Sequence, residues 1–451
     1  MRGFPIVGVL AFCACGHEDS SGDGGDSDVD VDTDVDTDTD TDSDGDCDDA
    51  DLDGFMAAAC GGDDCDDADE AAHPGAPDNA GFAWRLETLD PGSRPSLALD
   101  AAGVVHVVFD SADGLRYATN PTGLWRVETV DADGGGVPAV GVSPDGAVHV
   151  GYVAAPDELR HATTAGDAWT VDVVETGVVV PRDLGIAIGA DGVVHLAWLF
   201  WGGGAYEVDY ASDEGGTFVT EPVGDAQERS GVAIAVDAAG AAHVVWQMPD
   251  FALTHAAREG IGWGRETVEA GGTPGTLVAG AGDELRIAFV GADGIRYGER
   301  TAGEWTIETA DPLGGFDPGL AIEAGGVVHL AFMAIRDGLG LQVGTNRGGA
   351  WTFEGIEDSE AGTPIAVDDA GNLHVAHSGG GRVRHARRLA PDGVDQDCDG
   401  VDGIDLDGDG FASSATGGGD CDDERAAVHP GADDPAGDGV DQDCDGVGGT
   451  E

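Results

Sequence analysis

Three aspartates near the C-terminus, Asp405, Asp407 and Asp409 in the run DLDGDGF, occupy the first, third and fifth positions of a calcium-type loop. Gly408 and Gly410 let the backbone curl so that carboxylate oxygens converge. Hard oxygen donors of this kind favour Ca²⁺ over soft metals. The twelfth position holds Thr416 instead of the usual glutamate, so the loop is no complete EF-hand, and Asp420, Asp422 and Asp423 of the following DCDD are the expected remaining ligands. A weaker copy places Asp51 and Asp53 in DLDGF, where Phe55 arrives early and the third aspartate is missing. Its shell would draw on Asp46, Asp48 or Asp49. The competing reading is an ordinary acidic tail, where charge runs are simply solvated.

Both copies belong to a longer motif. The C-terminal copy continues through HPGA (429–432) to GVDQDCDG (439–446) without interruption. The other continues through DDCDD (63–67) and HPGA (73–76), breaks off, and meets its ending GVDQDCDG only at 393–400. If the two fold alike, residues 77–392 are an insertion whose ends lie close together. Cys421 with Cys444 is the natural disulfide inside the unbroken copy; equivalence pairs Cys65 with Cys398 and leaves Cys47 with Cys60 as a local loop. Such bridges need an oxidising compartment. The alternative is thiol-bound metal, although no paired CxxC set is present.

The insertion carries an internal repeat of about 45 residues, a period that marks solenoids, propellers or arrays. One unit reads PSLALD, a D-x-x-G turn, VVHVVFD, LRYATN and LWRVETV, four short β-rich runs separated by turn signals. The second run recurs seven times, as VVHVVF, AVHVGY, VVHLAW, AAHVVW, ELRIAF, VVHLAF and NLHVAH. The aromatic that leads the fourth run follows only six of them, at Trp125, Trp169, Phe218, Trp263, Trp305 and Trp351. The last unit ends at VRHARR with no fourth run, whereas the insertion opens with an orphan fourth run led by Trp84. An N-terminal strand completing the final blade would close a ring and remove its exposed edges. The expected fold is all-β: a seven-bladed β-propeller over residues 83–388, closed by its N-terminal strand and inserted in a disulfide-rich Asp/Cys metal-binding module made of 44–79, 391–400 and 401–451.

With 77 glycines and a formal net charge of −68, the 451-residue chain is turn-rich and very acidic. That charge repels phosphate and excludes nucleic acid as a partner, leaving divalent cations as the natural one. Met1, Arg2 and the apolar residues 4–14 resemble a short secretory signal ending at a cysteine, as in bacterial lipoproteins, over residues 1–15. Cys15, preceded by Ala14, is the expected lipidation site, with Cys13 as the alternative. The plainer readings are an ordinary cleaved signal peptide and a misassigned start. Residues 16–43 form an acidic low-complexity linker in which like charges prevent collapse. The expected setting is extracytoplasmic, lipid-anchored to a bacterial envelope at the outer membrane or cell surface, with no other membrane contact and a monomeric chain.

The order DxDGDG, DCDD, PGA, GVDQDCDG resembles the metal-binding motif of bacterial surface proteins of the MopE type, over residues 44–79 and 391–446. The resemblance implies an extracytoplasmic location and metal association, and the family name carries copper. The residues themselves favour Ca²⁺: methionine is scarce, and His73 and His429 are the only imidazoles in the motifs. Nothing about catalysis is implied.

Residues that recur in every repeat are expected to be structural, since a sevenfold residue cannot mark one active site. His106, His149, His195, His243, His329 and His374, with Arg286 in the seventh place, are expected to bond between blades. Tyr117, His161, Tyr210, His255, Tyr297 and His385 receive the same structural reading. Departures from the repeat point instead to a ligand. Phe200 and Trp201, beside three glycines in the longest unit, together with Trp246 and Arg336, are the candidate ligand-binding residues; Gln247, Asp250, Arg182 and Arg229 stand in neighbouring loops. Aromatic rings with a few polar groups suit a glycan or a peptide.

The expected role is therefore binding or adhesion, with no catalytic residue assigned. A hydrolase of the sialidase-like propeller type is one alternative, suggested by Asp-box-like turns at 212–218 and 345–351 and preferred where unrepeated acids and arginines converge on the channel. The other is a passive envelope structural protein, preferred where that channel is shallow and the aromatic loop is packed. No GxSxG, HExxH or phosphate-binding glycine loop occurs.

Overall fold

In a computed structural model the described residues are 84–389, apart from loop positions 165–167, 180, 229, 261, 281, 283, 324, 336–339, 348, 357–358 and 360, and, farther on, 409–411, 420–422, 425–432, 435 and 440–444. They all belong to the second of the two units into which the chain divides, Asp48–Glu451.

Each second run of the repeat is apolar on both faces and sits inside its sheet: Val105–Ser111 is buried at its first five positions. Each fourth run forms an outer edge of its sheet; Arg126–Asp131 is exposed or half-buried at every position. Seven four-stranded antiparallel sheets result among the described residues. Blade one comprises Ser93–Leu99, Val105–Ser111, Gly114–Thr119 and Arg126–Asp131. Blades two to six start at Gly134–Val142, Asp183–Ile188, Val232–Val236, Thr273–Ala279 and Gly315–Ile322. Blade seven takes Ile365–Val367, Leu373–Gly379 and Arg382–Arg388 from the C-terminal side and Arg85–Pro91 from the N-terminal side, with Arg85 opposite Arg387 and Pro91 opposite Arg382. The expected closing strand is thus present.

The first strands neighbour one another all round the ring. Two glycines permit that approach. A Cβ on Gly275 would lie 1.9 Å from the Pro318 carbonyl oxygen, and one on Gly319 2.0 Å from that of Thr363. The core is divided into seven clusters, one per seam between blades. In one of them Tyr210 of blade three packs with Val244 and Trp246 of blade four. Each fully buried large side chain contributes about 1.5–3 kcal/mol.

The repeated polar residues divide the work differently from expectation. The histidine series bonds within its own blade, not between blades: His106 Nδ1 meets the Tyr117 hydroxyl at 2.7 Å, His195 Nδ1 that of Tyr210 at 2.6 Å, and His149 Nδ1 lies 3.0 Å from His161 Nε2. The adjoining third strand of the same blade sets a tyrosine, histidine or threonine within hydrogen-bond reach of each ring, so the imidazole is satisfied without crossing the seam. The blade-to-blade link is made by the fourth-strand tryptophans. Trp125, Trp169, Trp305 and Trp351 donate their indole N–H to Glu87, Glu128, Glu266 and Glu308 of the preceding blade, at 2.6–3.0 Å. Six fourth-strand aromatics also set their rings edge-on against the preceding blade's third-strand ring. Where the sixth, Phe218, has no N–H, Thr220 donates to Glu175 instead, at 3.1 Å.

Candidate functional site

The acidic C-terminal segment is held by a disulfide between Cys421 and Cys444, with Cα atoms 5.6 Å apart. Asp420 is fully buried beside it and accepts the Asp422 backbone N–H at 2.8 Å. Asp409 accepts the Phe411 N–H at 3.0 Å, and the Phe411 and His429 rings stack with centroids 4.7 Å apart. The donor atoms of Asp420, Cys421 and Cys444 lie within 4.8 Å of one another. The two sulfurs are bonded to each other and are no thiolates, so the donor of this trio is the hard carboxylate oxygen of Asp420. These residues fit an oxygen-preferring cation and do not form a cysteine-ligated site for a soft metal. Asp422 is half-exposed and pairs with Arg425 at 3.1 Å. Asp405, Asp407, Asp423, Asp51, Asp53, Cys15, Cys47, Cys60, Cys65 and Cys398 lie outside the described residues, as do Arg229 and Arg336.

On the propeller, the hairpins between second and third strands share one face with the connections between blades, as antiparallel topology requires. A cavity of about 520 Å³ opens on this face where the first strands begin, lined by residues of all seven blades that include Arg94, Val137, Arg182, Asp183, Asp317 and Thr363. It is the mouth of the central channel. Arg94, Val137 and Asp317 hold left-handed backbone, at φ of 53°, 44° and 52°. That region is disfavoured for residues bearing a Cβ, and for β-branched valine most of all, and such strain concentrates at functional sites.

The mouth is charged. Asp183 accepts the N–H of Val232 on the next blade at 2.9 Å and that of Leu184 at 3.0 Å, yet enclosure by the channel wall pushes its pKa up to about 6. Asp317 is also raised by its enclosure. Arg182 donates to the Tyr206 hydroxyl at 2.9 Å, stands over that ring at 5.5 Å, and pairs with Glu228 at 3.4 Å. Tyr206 in turn meets Trp201 edge-on at 5.1 Å. Trp201, 36% exposed, is therefore the outer end of a ledge that starts at the channel mouth. Gly203, at φ 89°, turns the hairpin that carries it.

Not every candidate reaches this face. Phe200 packs partly buried into the cluster between blades two and three. Trp246 does not line a loop at all: its exposure is 0%, its indole N–H donates to the Asp225 carbonyl at 3.0 Å, and it fills the seam between blades three and four. The physical reason is its place in a second strand, which is covered on both faces. Gln247 is likewise buried and donates to the Gly272 carbonyl at 2.7 Å. Arg94, Asp183, Asp317 and Tyr206 were not among the candidates. The signal was available: six places before the first turn residue of each unit stand Arg94, Val137, Asp183, Gly231, Pro274, Asp317 and Gly362, a column that scarcely repeats.

Comparison with known proteins gives one family match. The model of the family Cu-binding_MopE, described as "Putative metal-binding motif", matches residues 64–80, 383–407 and 420–448. No curated protein matches the chain. Among solved structures, a mutant of the Aleuria aurantia lectin AAL in complex with Fucalpha1-6GlcNAc is similar at 15% identity and a TM-score of 0.46, over 60% of this chain and 96% of that one. AofleA from Arthrobotrys oligospora is similar at 14% identity and a TM-score of 0.45, over 61% and 89%. A β-propeller domain from Myceliophteria thermophila is similar at 12% identity and a TM-score of 0.47, over 67% and 99%. The chain thus carries a metal-binding motif at three segments around a seven-bladed propeller.

Proposed function

We propose that the protein is an extracytoplasmic binding or adhesion module, lipid-anchored at Cys15 to a bacterial envelope, whose propeller takes a glycan or peptide at the channel mouth. The observation that carries this reading is the contrast between two residue sets. The repeated polar residues pair among themselves, whereas the unrepeated Arg94, Arg182, Asp183 and Asp317 gather on one open cavity. Arg182 and Trp201 are the residues to remove. Arg182→Ala and Trp201→Ala should each weaken binding to the best hit of a glycan and peptide array at least tenfold, with melting unchanged. Loss of melting temperature in step with binding would sink the reading.

In the same proposal the Asp/Cys module holds Ca²⁺ through Asp405, Asp407, Asp409, Asp420, Asp422 and Asp423, and more weakly through Asp51 and Asp53. Ca²⁺ would cross-link carboxylates whose mutual repulsion otherwise opens the segment. Chelator should therefore abolish a calorimetric transition of the module and leave the propeller transition in place. Restoration by Cu²⁺ but not by Ca²⁺ would reverse the metal assignment.

A hydrolytic reading has one observation in its favour: acids and arginines do converge on the channel, and Asp183 at about 6 has the pKa of a proton donor. Against it, Asp183 is tied to two backbone N–H groups, and neither tyrosine nor glutamate lines the cavity among the described residues. Turnover of a fluorogenic glycoside that disappears in Asp183→Asn would favour hydrolysis.

A further inference from the structure

A second cavity, of about 390 Å³, lies on the other face of the propeller, in the seam between blades five and six. Blade five breaks the repeat at two polar positions. Arg286 replaces the second-strand histidine, and Glu299 stands where other blades carry Thr119, Thr163, Ser212, Ala257, Thr345 or Arg387. The exchange redirects Tyr297, whose hydroxyl now donates to Glu299 Oε1 at 2.6 Å while Arg286 donates to the same oxygen at 3.1 Å. The covering turn is thinned as well. Gly325 stands where Ala102, Asp145, Asp191, Ala239 and Ala370 stand in other blades, and a Cβ there would meet nothing within 4 Å.

The groups that face this cavity are mostly acceptors. Glu308 receives the Trp351 indole N–H at 2.8 Å and the Asn346 amide at 3.4 Å, both on Oε1. Glu299 likewise spends only Oε1 on Tyr297 and Arg286. The Oε2 atoms of both glutamates take no hydrogen bond among the described residues. Thr306, Asn346 and the Tyr297 hydroxyl add neutral polar groups, and no basic side chain lines the cavity among the described residues. Tyr297 stays protonated, since burial pushes its pKa up. Two carboxylates with free oxygens, neutral hydroxyl and amide neighbours, and a chain of net charge −68 together select a cation that also carries hydroxyls.

We propose that this seam is a binding site for a small organic ammonium ion bearing hydroxyl groups, of the amino-sugar type, with the ammonium between Glu299 and Glu308 and the hydroxyls on Thr306 and Asn346. The site is separate from the channel mouth and stands whether or not a ligand binds there.

The test is calorimetric and NMR titration of the full chain with glucosamine, N-acetylglucosamine and glucose, in about 0.15 M salt to screen diffuse attraction to the acidic segments. Glucosamine should bind at least tenfold more tightly than either neutral sugar. Glu308→Gln should weaken it at least tenfold. Gly325→Phe, which fills open space, should abolish binding with melting unchanged. Equal binding of glucose, binding that survives Gly325→Phe, stoichiometric displacement by Ca²⁺, or no binding of any of the three would each overturn the proposal.

Discussion

Acidification from about pH 7 to about pH 4 is expected to unfold the propeller. Three buried histidines, His161, His255 and His374, are held down to about 4, chiefly by burial, with a neighbouring histidine adding to it. In the unfolded chain they titrate near 6.5. The fold therefore prefers their neutral form, and between those values the unfolded chain binds more protons. Their contribution is complete above about pH 6.5 and is lost as the pH falls towards about 4. At about 1.4 kcal/mol per pKa unit, each is worth about 3 kcal/mol, and the three together rival the whole stability of a typical domain. His106, His149, His195 and His243, also lowered by burial, act in the same sense. Asp183 and Asp209, raised to about 6, act in the opposite sense and offset part of the loss.

Blades one and three show how to blunt the effect, because they carry tyrosine where blades two, four and seven carry the partner histidine. The double variant His161→Tyr, His255→Tyr should shift the acid midpoint, followed by circular dichroism, by about one pH unit downwards. An unchanged midpoint would remove the histidine pairs from the explanation.

Gly319→Ala is expected to be, with Gly275→Ala, among the most damaging methyl additions to the inner ring. Its Cβ would stand 2.0 Å from the Thr363 carbonyl oxygen and 3.1 Å from the carbonyl carbon. The obstacle is backbone of the next blade, which no rotamer change can clear. Overpacking of a closed core costs roughly 1–3 kcal/mol when side chains can shift; here the first strands must part, and more than about 3 kcal/mol is expected, or a fall of roughly 6 °C or more in Tm. Gly325→Ala is the control and should melt like the parent. Equal melting of Gly319→Ala and the parent would mean that the inner ring is looser than described.

The number of blades and the closing strand were legible because they rest on counting: seven second runs, six following fourth runs and one orphan at Trp84. Repetition averages out local accidents. The Cys421–Cys444 bridge was legible for a related reason, since the unbroken motif leaves each cysteine one natural partner. Side-chain direction was not legible. Trp246 looked like a loop residue at the end of a strand, but the second strand has no outer face, and the ring turned inwards. The histidines were correctly read as structural and assigned to the wrong contact, because a repeat says that a residue recurs and not towards which neighbour it points. Asp183 and Asp317 escaped notice since each is ordinary alone; only the ring geometry places blades three and six across one opening.

The closing strand also fixes a load path. Arg85 lies opposite Arg387 at the same end of the strand pair, so tension applied to the chain on either side of the propeller pulls two neighbouring strands apart from one end. Hydrogen bonds loaded in that way give way one at a time and do not share the force. Blade seven is thus the fuse of the ring, and the other six blades, each sewn from one continuous stretch of chain, feel no tension until it has opened.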